Sequence, residues 1–300
     1  MKMKRIVFTG LFLISGLTIT SAQIKLSFNP EKGKKYEYQT EMIQKVKQSV
    51  MGQEIPVEME MNMTYLMEIK DKTPQEIRMQ VTYREVAYIL SNPMMKMGYD
   101  SKNPVENPSE MDQMLSDIFG VLIDKPFIIV IAPDGSVNSV TGLDAIAESM
   151  GNAAGDGQIA VQIAAQLKQQ FSDAALKNMF EHSFKIYPTN AVKVGDSWNM
   201  ESTMVMNNMN ANYKARYTLK EVSKNTATIA VDSDIEMEMG EGMEGKLVST
   251  QSGTMLVDIK TGISVSGEVT QNIKGTIKAQ GFDIQMDMNN KTKTFIKEVK

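Results

Sequence analysis

Residues Pro56–Lys70 read PVEMEMNMTYLMEIK and decide the fold, because nearly every second residue of this stretch is apolar. Successive side chains of an extended strand point to opposite faces, so Met59, Met61, Met63 and Met67 share one face. Glutamate, asparagine and threonine occupy most of the positions between them. The stretch therefore predicts a β-strand with one apolar face of flexible thioether side chains, which adapt to irregular neighbours.

The same alternation returns twice later in the chain. Met237 and Met239 follow Ile235 at every second position, and Met286 and Met288 alternate with acidic or amide residues near the C-terminus. Both segments predict further strands of the same kind. We interpret the three methionine stripes as parts of one face of an antiparallel sheet.

Three stretches follow one another along the chain. Residues 23–91 hold long alternating segments and form a first β half, whereas residues 92–187 change to helical periodicity interrupted by one hairpin. Residues 188–300 return to strands and form a second β half. We predict a single β-rich domain over residues 23–300, with a helical insertion between its two halves.

The insertion carries clear helix signals. Ser109 and Asp112 have the spacing of a capping box, and Ser172 with Asp173 begins a last helix. Between them, a predicted helix from Asp156 places apolar residues at every fourth position, and one of its faces is expected to be buried. These residues are Ile159, Ile163 and Leu167.

The two β halves echo each other. Gly33-Lys34-Lys35-Tyr36 resembles Gly195-Asp196-Ser197-Trp198, and the hairpin of residues 65–81 resembles that of residues 217–231. The match indicates either a duplicated unit or two meanders built to the same rule.

The N-terminus indicates the compartment. Three basic residues precede an apolar run over residues 6–19, and Thr20-Ser21-Ala22 follows, which is typical of a secretory signal peptide over residues 1–22. The apolar run is shorter than the ~20 residues that span a bilayer as a helix, and no later stretch is as apolar, so no transmembrane segment is predicted. We expect an exported protein of the periplasm or the extracellular space.

Composition argues against several functions. The chain of 300 residues has a formal net charge of −4, one histidine and no cysteine, so neither a basic nucleic-acid surface nor a disulfide framework is predicted. Gly195-Asp196-Ser197 resembles the start of a serine-esterase signature, but the single histidine, His182, precedes it. We therefore predict a turn there, no enzyme and no cofactor.

Soft-metal binding is one alternative reading of the methionines. Thioethers bind Cu(I) and Ag(I), and the M-x-M spacing in a strand places two sulfur atoms on one face. The segments 59–63, 204–206, 237–243 and 286–288 would supply them. Because the usual histidine and cysteine partners are scarce or absent, we assign no metal site.

Several short motifs together resemble a family of exported bacterial proteins of unknown function. They are Gly33 with Tyr36, Tyr99-Asp100-Ser101 in a predicted exposed loop, Ile123–Phe127, Ala132–Gly135 and Val194–Trp198. The resemblance covers nearly the whole mature chain and implies no activity. The layout of strands, helices and strands is also similar to periplasmic lipoprotein-carrier half-barrels, in which a curved sheet holds acyl chains under a helical lid.

These observations predict an α+β protein: a curved antiparallel sheet or half-barrel of two β-rich halves, with the helical insertion as a lid. The leading hypothesis is a non-enzymatic protein that binds a lipid or acyl chain. Its protein partner stays unknown. The alternatives are a structural or interaction protein with a filled core, and soft-metal binding. The predicted apolar wall consists of Met59, Met61, Met63, Met67, Met237, Met239, Met286 and Met288, with Ile159, Ile163 and Leu167 on the lid.

Overall fold

The computed structural model describes residues 23–50, 53–155, 161–162, 165, 172–206, 209–239, 244–279 and 282–300. The predicted signal peptide and the predicted lid residues Ile159, Ile163 and Leu167 lie outside these residues.

Twelve strands form one antiparallel sheet. The first half contributes β1 (Lys35–Val50), β2 (Gln53–Lys72), β3 (Ile77–Asn92), β4 (Met95–Asp100), β5 (Pro126–Ile131) and β6 (Val137–Thr141). The second half contributes β7 (Ser197–Met206), β8 (Met209–Val222), β9 (Thr226–Met239), β10 (Glu244–Asp258), β11 (Ser264–Ala279) and β12 (Phe282–Val299). The strand order is β6-β5-β3-β2-β1-β12-β11-β10-β9-β8-β7, and β4 also pairs with β3.

The first and last strands join the two halves. β1 pairs with β12 over its whole length, from Lys35 opposite Val299 to Val50 opposite Ile284. Both meanders are therefore parts of one continuous sheet. The sheet is open, because its path ends at β6 on one side and at β7 on the other.

The strands have one buried and one exposed face. On β1 the even-numbered residues are the less exposed ones, as are the odd-numbered residues of β2 and β10 and the even-numbered residues of β12. Strand register places these residues side by side on one face, here called the inner face. The predicted alternation of the methionine segments is thus confirmed.

Three described helices pack on one end of the inner face: α1 (Glu110–Gly120), α2 (Leu143–Ala153) and α3 (Asp173–Phe184). The predicted capping box is confirmed, since the Ser109 hydroxyl accepts the Asp112 N–H and the Asp112 carboxylate accepts the Ser109 N–H. Ile118, Leu143 and Leu176 of these helices join buried residues of β1–β3 in the larger core. We call this end of the sheet the core end.

A smaller core lies under the second half. The N-terminal segment crosses the sheet there, with Leu26 fully buried and Ile24 paired with Val192. Leu26 packs with Leu219 and Ile229 of the β8–β9 hairpin. Tyr187 packs against both cores and connects them.

The predicted exposed loop at Tyr99-Asp100-Ser101 is wrong for its first two residues. Tyr99 and Asp100 belong to β4, which pairs with Ala87–Asn92. The reason is the length of β3, because β5 pairs only with Ile77–Thr82 and leaves the rest of that edge for another strand. The Tyr99 ring stacks on Phe119 of α1, so the aromatic side chain packs onto the fold.

The echo between the halves corresponds to one repeated geometry. The Gly33 N–H donates to the Ile69 carbonyl, and the Ile69 N–H donates to the Lys34 carbonyl. Gly195, Leu219 and Asp196 make the same pair of bonds in the second half. In each hairpin the register of the strand pair shifts directly after this residue, at Ile69 in the first half and at Leu219 in the second. The structure therefore aligns Met67 with Tyr217, two residues away from the alignment expected from sequence.

Candidate functional site

The eight predicted methionines all lie on the inner face, but in two environments. Met67 is 3% exposed within the larger core, and Met63 packs against that core. The other six are half-buried and belong to neither core. They are Met59, Met61, Met237, Met239, Met286 and Met288. We call the part of the inner face that carries these six residues the methionine face.

Strand register spreads the methionine face across the sheet. Met237 lies beside Leu247, which lies beside Gly275, and Gly275 lies beside Met286. Neighbouring strands are about 4.8 Å apart, so Met237 and Met286 are roughly 14 Å apart. The structure therefore makes an extended apolar surface of the stripes, completed by Ile235, Ile273 and Val46, which the predicted apolar wall did not include.

A row of uncharged polar side chains crosses the inner face beside the methionine face. Five consecutive strands contribute to it, and each member is the register partner of the next. These residues are Gln44, Asn290, Gln271, Gln251 and Ser233, and we call them the amide row. In the sequence, these residues are recognisable as polar residues at positions where the alternating pattern of the strand predicts an apolar one.

Hydrogen bonds connect most of the amide row. The Asn290 side-chain nitrogen donates to Gln271 Oε1 at 3.0 Å, and Gln271 Nε2 donates to the fully buried Ser249 Oγ at 3.0 Å. Ser233 Oγ donates to Gln251 Oε1 at 3.3 Å. The side-chain oxygen of Asn290, Oδ1, is buried and has no hydrogen-bond partner in the described part of the chain.

Around the methionine face and the amide row, charged side chains lie only on the outer face of the described strands. The described inward residues around the methionine face are all uncharged. They are the inward residues of β1 from Met42 onward, β2 from Ile55 to Met61, β9 from Ser233 to Met239, β10 from Leu247 to Gln251, β11 from Gln271 to Ile277 and β12 from Ile284 to Asn290. Lys274 and Asp287 pair on the outer face at 3.0 Å. In this region the inner face thus presents thioether, aliphatic, amide and hydroxyl groups.

Tyrosines separate the methionine face from the core end in the first half. The Tyr38 and Tyr65 rings stack with centroids 5.0 Å apart, and Tyr83 meets Tyr65 edge-on at 5.7 Å. Burial raises the pKa of Tyr83 to about 12, and burial also raises the pKa of Tyr65 and of Tyr38. These hydroxyls are therefore neutral at physiological pH and add no charge to the inner face.

The only histidine lies in a small cleft between α3 and the β7–β8 hairpin. The cleft has a volume of about 110 Å³. The His182 ring meets Tyr213 edge-on at 5.2 Å, and both ring nitrogens are 3.4 Å from Ser202 Oγ. Burial lowers the pKa of His182, while the charge of Glu181 acts in the opposite direction. Ser197, by contrast, contacts Thr218 Oγ1 at 2.9 Å within the strand pair.

The described residues hold no group of three or more histidine, cysteine, aspartate or glutamate side chains arranged for a metal ion. Among the described helices, none is both long and apolar enough to cross a membrane.

Fold and face together define an open antiparallel β-sheet protein whose inner face is uncharged around the methionine face. The model of the family of unknown function DUF6263 matches residues 74–264, and the chain belongs to this family. The predicted resemblance to a family of unknown function is thereby confirmed. A search of the curated proteins finds no match.

Several solved structures show partial likeness to this chain. A structure of lipovitellin, titled for its lipid–protein interactions, has a TM-score of 0.47 and 12% identity over 89% of this chain, which spans only 25% of the lipovitellin chain. OccK7 of Pseudomonas aeruginosa has a TM-score of 0.26 and 7% identity, over 89% of this chain and 100% of its own. An outer membrane channel from Pseudomonas putida F1 has a TM-score of 0.25 and 8% identity, over 90% of this chain and 98% of its own. With TM-scores under 0.5, these likenesses support no conclusion about function.

Proposed function

We propose that the protein is an exported, non-enzymatic binder of an apolar ligand, a lipid or acyl chain, which lies along the methionine face. The observation that carries the proposal is the position of six half-buried methionines on an uncharged part of the inner face, outside both cores. Apolar surface of this extent favours an apolar partner, because its removal from water is favourable.

The kind of side chain fits a ligand of variable shape. Thioether side chains have no branch at Cβ and rotate about three bonds, so they follow irregular contours at low cost. Met42, opposite Met61 on the neighbouring strand, extends the same soft surface. A rigid pocket for one small molecule would be built from branched and aromatic residues instead.

The helical insertion supports a lid over the ligand. α1–α3 already pack on the core end of the inner face, and the predicted apolar stripe of Ile159, Ile163 and Leu167 follows α2 in the chain. The stripe itself lies outside the described residues, so its part in the lid stays a prediction from sequence. The export part of the proposal rests on the sequence of residues 1–22.

A charge placed on the methionine face tests the proposal. We expect Met61→Lys to weaken binding of a fatty acyl ligand at least about tenfold, because an ammonium group would lose its hydration against the acyl chain. The matched control is Asn62→Lys, the same new side chain one residue along and on the exposed outer face. Binding is measured by displacement of N-phenyl-1-naphthylamine, and native mass spectrometry of the purified protein detects retained lipid.

Equal binding by both variants, or no lipid binding by the unmodified protein, would refute the proposal. A bare mass together with no probe binding favours the structural alternative, for which the filled core end is the supporting observation. A mass shift that depends on Cu(I) favours the soft-metal alternative, for which Met59, Met61 and the opposed Met42 are one set of neighbouring thioethers.

A further inference from the structure

We propose that the amide row selects the ligand by its polar group: the protein binds an amphiphile whose head is uncharged and donates hydrogen bonds, rather than a fatty acid anion. The inference rests on the proposed function, because the acyl chain is the part that occupies the methionine face. It adds the chemical class of the head and the residue that recognises it.

The amide row lies between two apolar strips of the inner face. On one side, the next inward residues along β11 and β12 are Ile273 and Met288, which are register partners. On the other side they are Val269 and Thr292, followed across the sheet by Met42 and Met61. An amphiphile with its head on the amide row can therefore place its chain along the strands over Met288 and Met286.

Asn290 carries the recognition. Its nitrogen donates one of its two hydrogens to Gln271, whereas its buried Oδ1 has no partner among the described residues. A buried carbonyl oxygen without a donor is destabilising, so a ligand donor that displaces the groups covering this atom gains a hydrogen bond that the protein alone does not supply. Hydroxyl and amide N–H groups are the neutral donors that fit this atom.

An anionic head does not fit the same place. The Asn290 oxygen would repel a carboxylate, and although the amide row offers N–H donors, the described inward positions around it hold no lysine or arginine to neutralise an anion. An ionised group removed from water without such a partner is strongly disfavoured. The inner face therefore discriminates by head chemistry even between ligands with identical chains.

The test uses three ligands with the same fourteen-carbon acyl chain and different heads. They are 1-monomyristoylglycerol, which offers hydroxyl donors, methyl myristate, which has only acceptors, and myristate, which is anionic. We expect the monoacylglycerol to displace N-phenyl-1-naphthylamine with about tenfold higher affinity than either of the others, the difference that one well-formed hydrogen bond to a buried acceptor supplies.

Two neighbouring substitutions assign the preference to the inner face. Asn290→Leu removes the free acceptor, and we expect the three affinities to converge to within about threefold. Asn289→Leu is the matched control, since Asn289 lies on the outer face and donates its own side-chain nitrogen to Asn272 Oδ1 at 2.7 Å. Each variant thus loses one amide–amide hydrogen bond, but only Asn290→Leu alters the amide row.

Each outcome separates the two proposals. Equal affinities in the unmodified protein, tighter binding of myristate, or a preference that survives in Asn290→Leu overturns the inference on the head while the acyl-binding function stands. No binding of any of the three ligands overturns the proposed function itself. Circular dichroism checks the fold of both variants, and if Asn290→Leu does not fold, the ligand ranking of the unmodified protein decides alone.

Discussion

Methionine has no single role in this protein, and position along a strand decides which role applies. Met67 and Met61 lie three inward positions apart on β2, yet the first is sealed in the core and the second is half-exposed on the methionine face. In the described part of the chain, helices pack on the inner face at the core end alone, and this accounts for the difference in exposure between Met67 and Met61. The same thioether can therefore fill a core and offer a soft surface within one strand.

Gly135 provides a prediction at the residue scale. It lies in the turn between β5 and β6 with φ +88°, and an added Cβ would meet the Phe184 carbonyl oxygen, with the carbonyl carbon at 2.7 Å and Lys185 Cα at 2.9 Å. We expect Gly135→Ala to lower the free energy of unfolding by at least about 3 kcal/mol, because strain in φ and a backbone clash add. Urea unfolding measures the change.

Gly195→Ala is the control for that substitution. Gly195 also has a positive φ, +95°, but an added Cβ would meet nothing within 4 Å. The expected loss is only about 1 to 2 kcal/mol, from the backbone conformation alone. A loss as large as that of Gly135→Ala would contradict the packing of α3 against the β5–β6 turn.

At the scale of elements, one carboxylate connects α1 to β4. Asp112 accepts the Ser109 N–H at 2.9 Å through one oxygen and the Gly98 N–H at 2.7 Å through the other. The cap therefore does two things, because it begins the helix and also satisfies a buried backbone donor of the strand. Sequence predicted the first function and contained no sign of the second.

We expect Asp112→Ala to lower the free energy of unfolding by about 2 to 4 kcal/mol, the sum of a lost cap and an unpaired buried N–H. Asp117→Ala, on the exposed side of the same helix, should change it by less than about 0.5 kcal/mol. Thermal and urea unfolding compare the two variants. Similar effects would refute the connecting role of Asp112.

The same carboxylate also gives a pH dependence with a defined sign. The hydroxyl of Ser109, followed by the Gly98 N–H, lowers the pKa of Asp112. Its contribution to stability is therefore present above the ordinary carboxyl pKa and is lost as the pH falls below about 4 through the lowered value. The Asp112→Ala variant should lack this part of the acid destabilisation.

At the scale of the whole molecule, the fold depends on the pairing of β1 with β12. This is the seam where the first meander meets the second, and it runs the full length of β1. We expect residues 23–190 and 191–300, expressed together as two chains divided at an exposed turn, to copurify through this seam. Size-exclusion chromatography of the coexpressed pair measures the association.

A proline on the seam tests that expectation. Thr292→Pro removes a backbone donor in the middle of β12, where a central strand does not tolerate proline, so the association of the two chains should weaken and rest on the packing of Leu26 against the second half. Thr203→Pro on β7, the last strand on the sheet path, should leave the association intact. Undiminished copurification of the Thr292→Pro pair would show that contacts outside the seam hold the halves together.

Sequence alone determined the strands, their inward residues and the helix caps of Ser109 and Ser172, because alternation with period two and side-chain capping are local properties. It could not determine that β4 completes the edge of β3, that Met67 belongs to the core, or that Gln44, Asn290 and Gln271 stand in one row. Those facts depend on which strands become neighbours and in what register, and pairing between residues as distant as Gln44 and Asn290 is decided only when the whole sheet assembles.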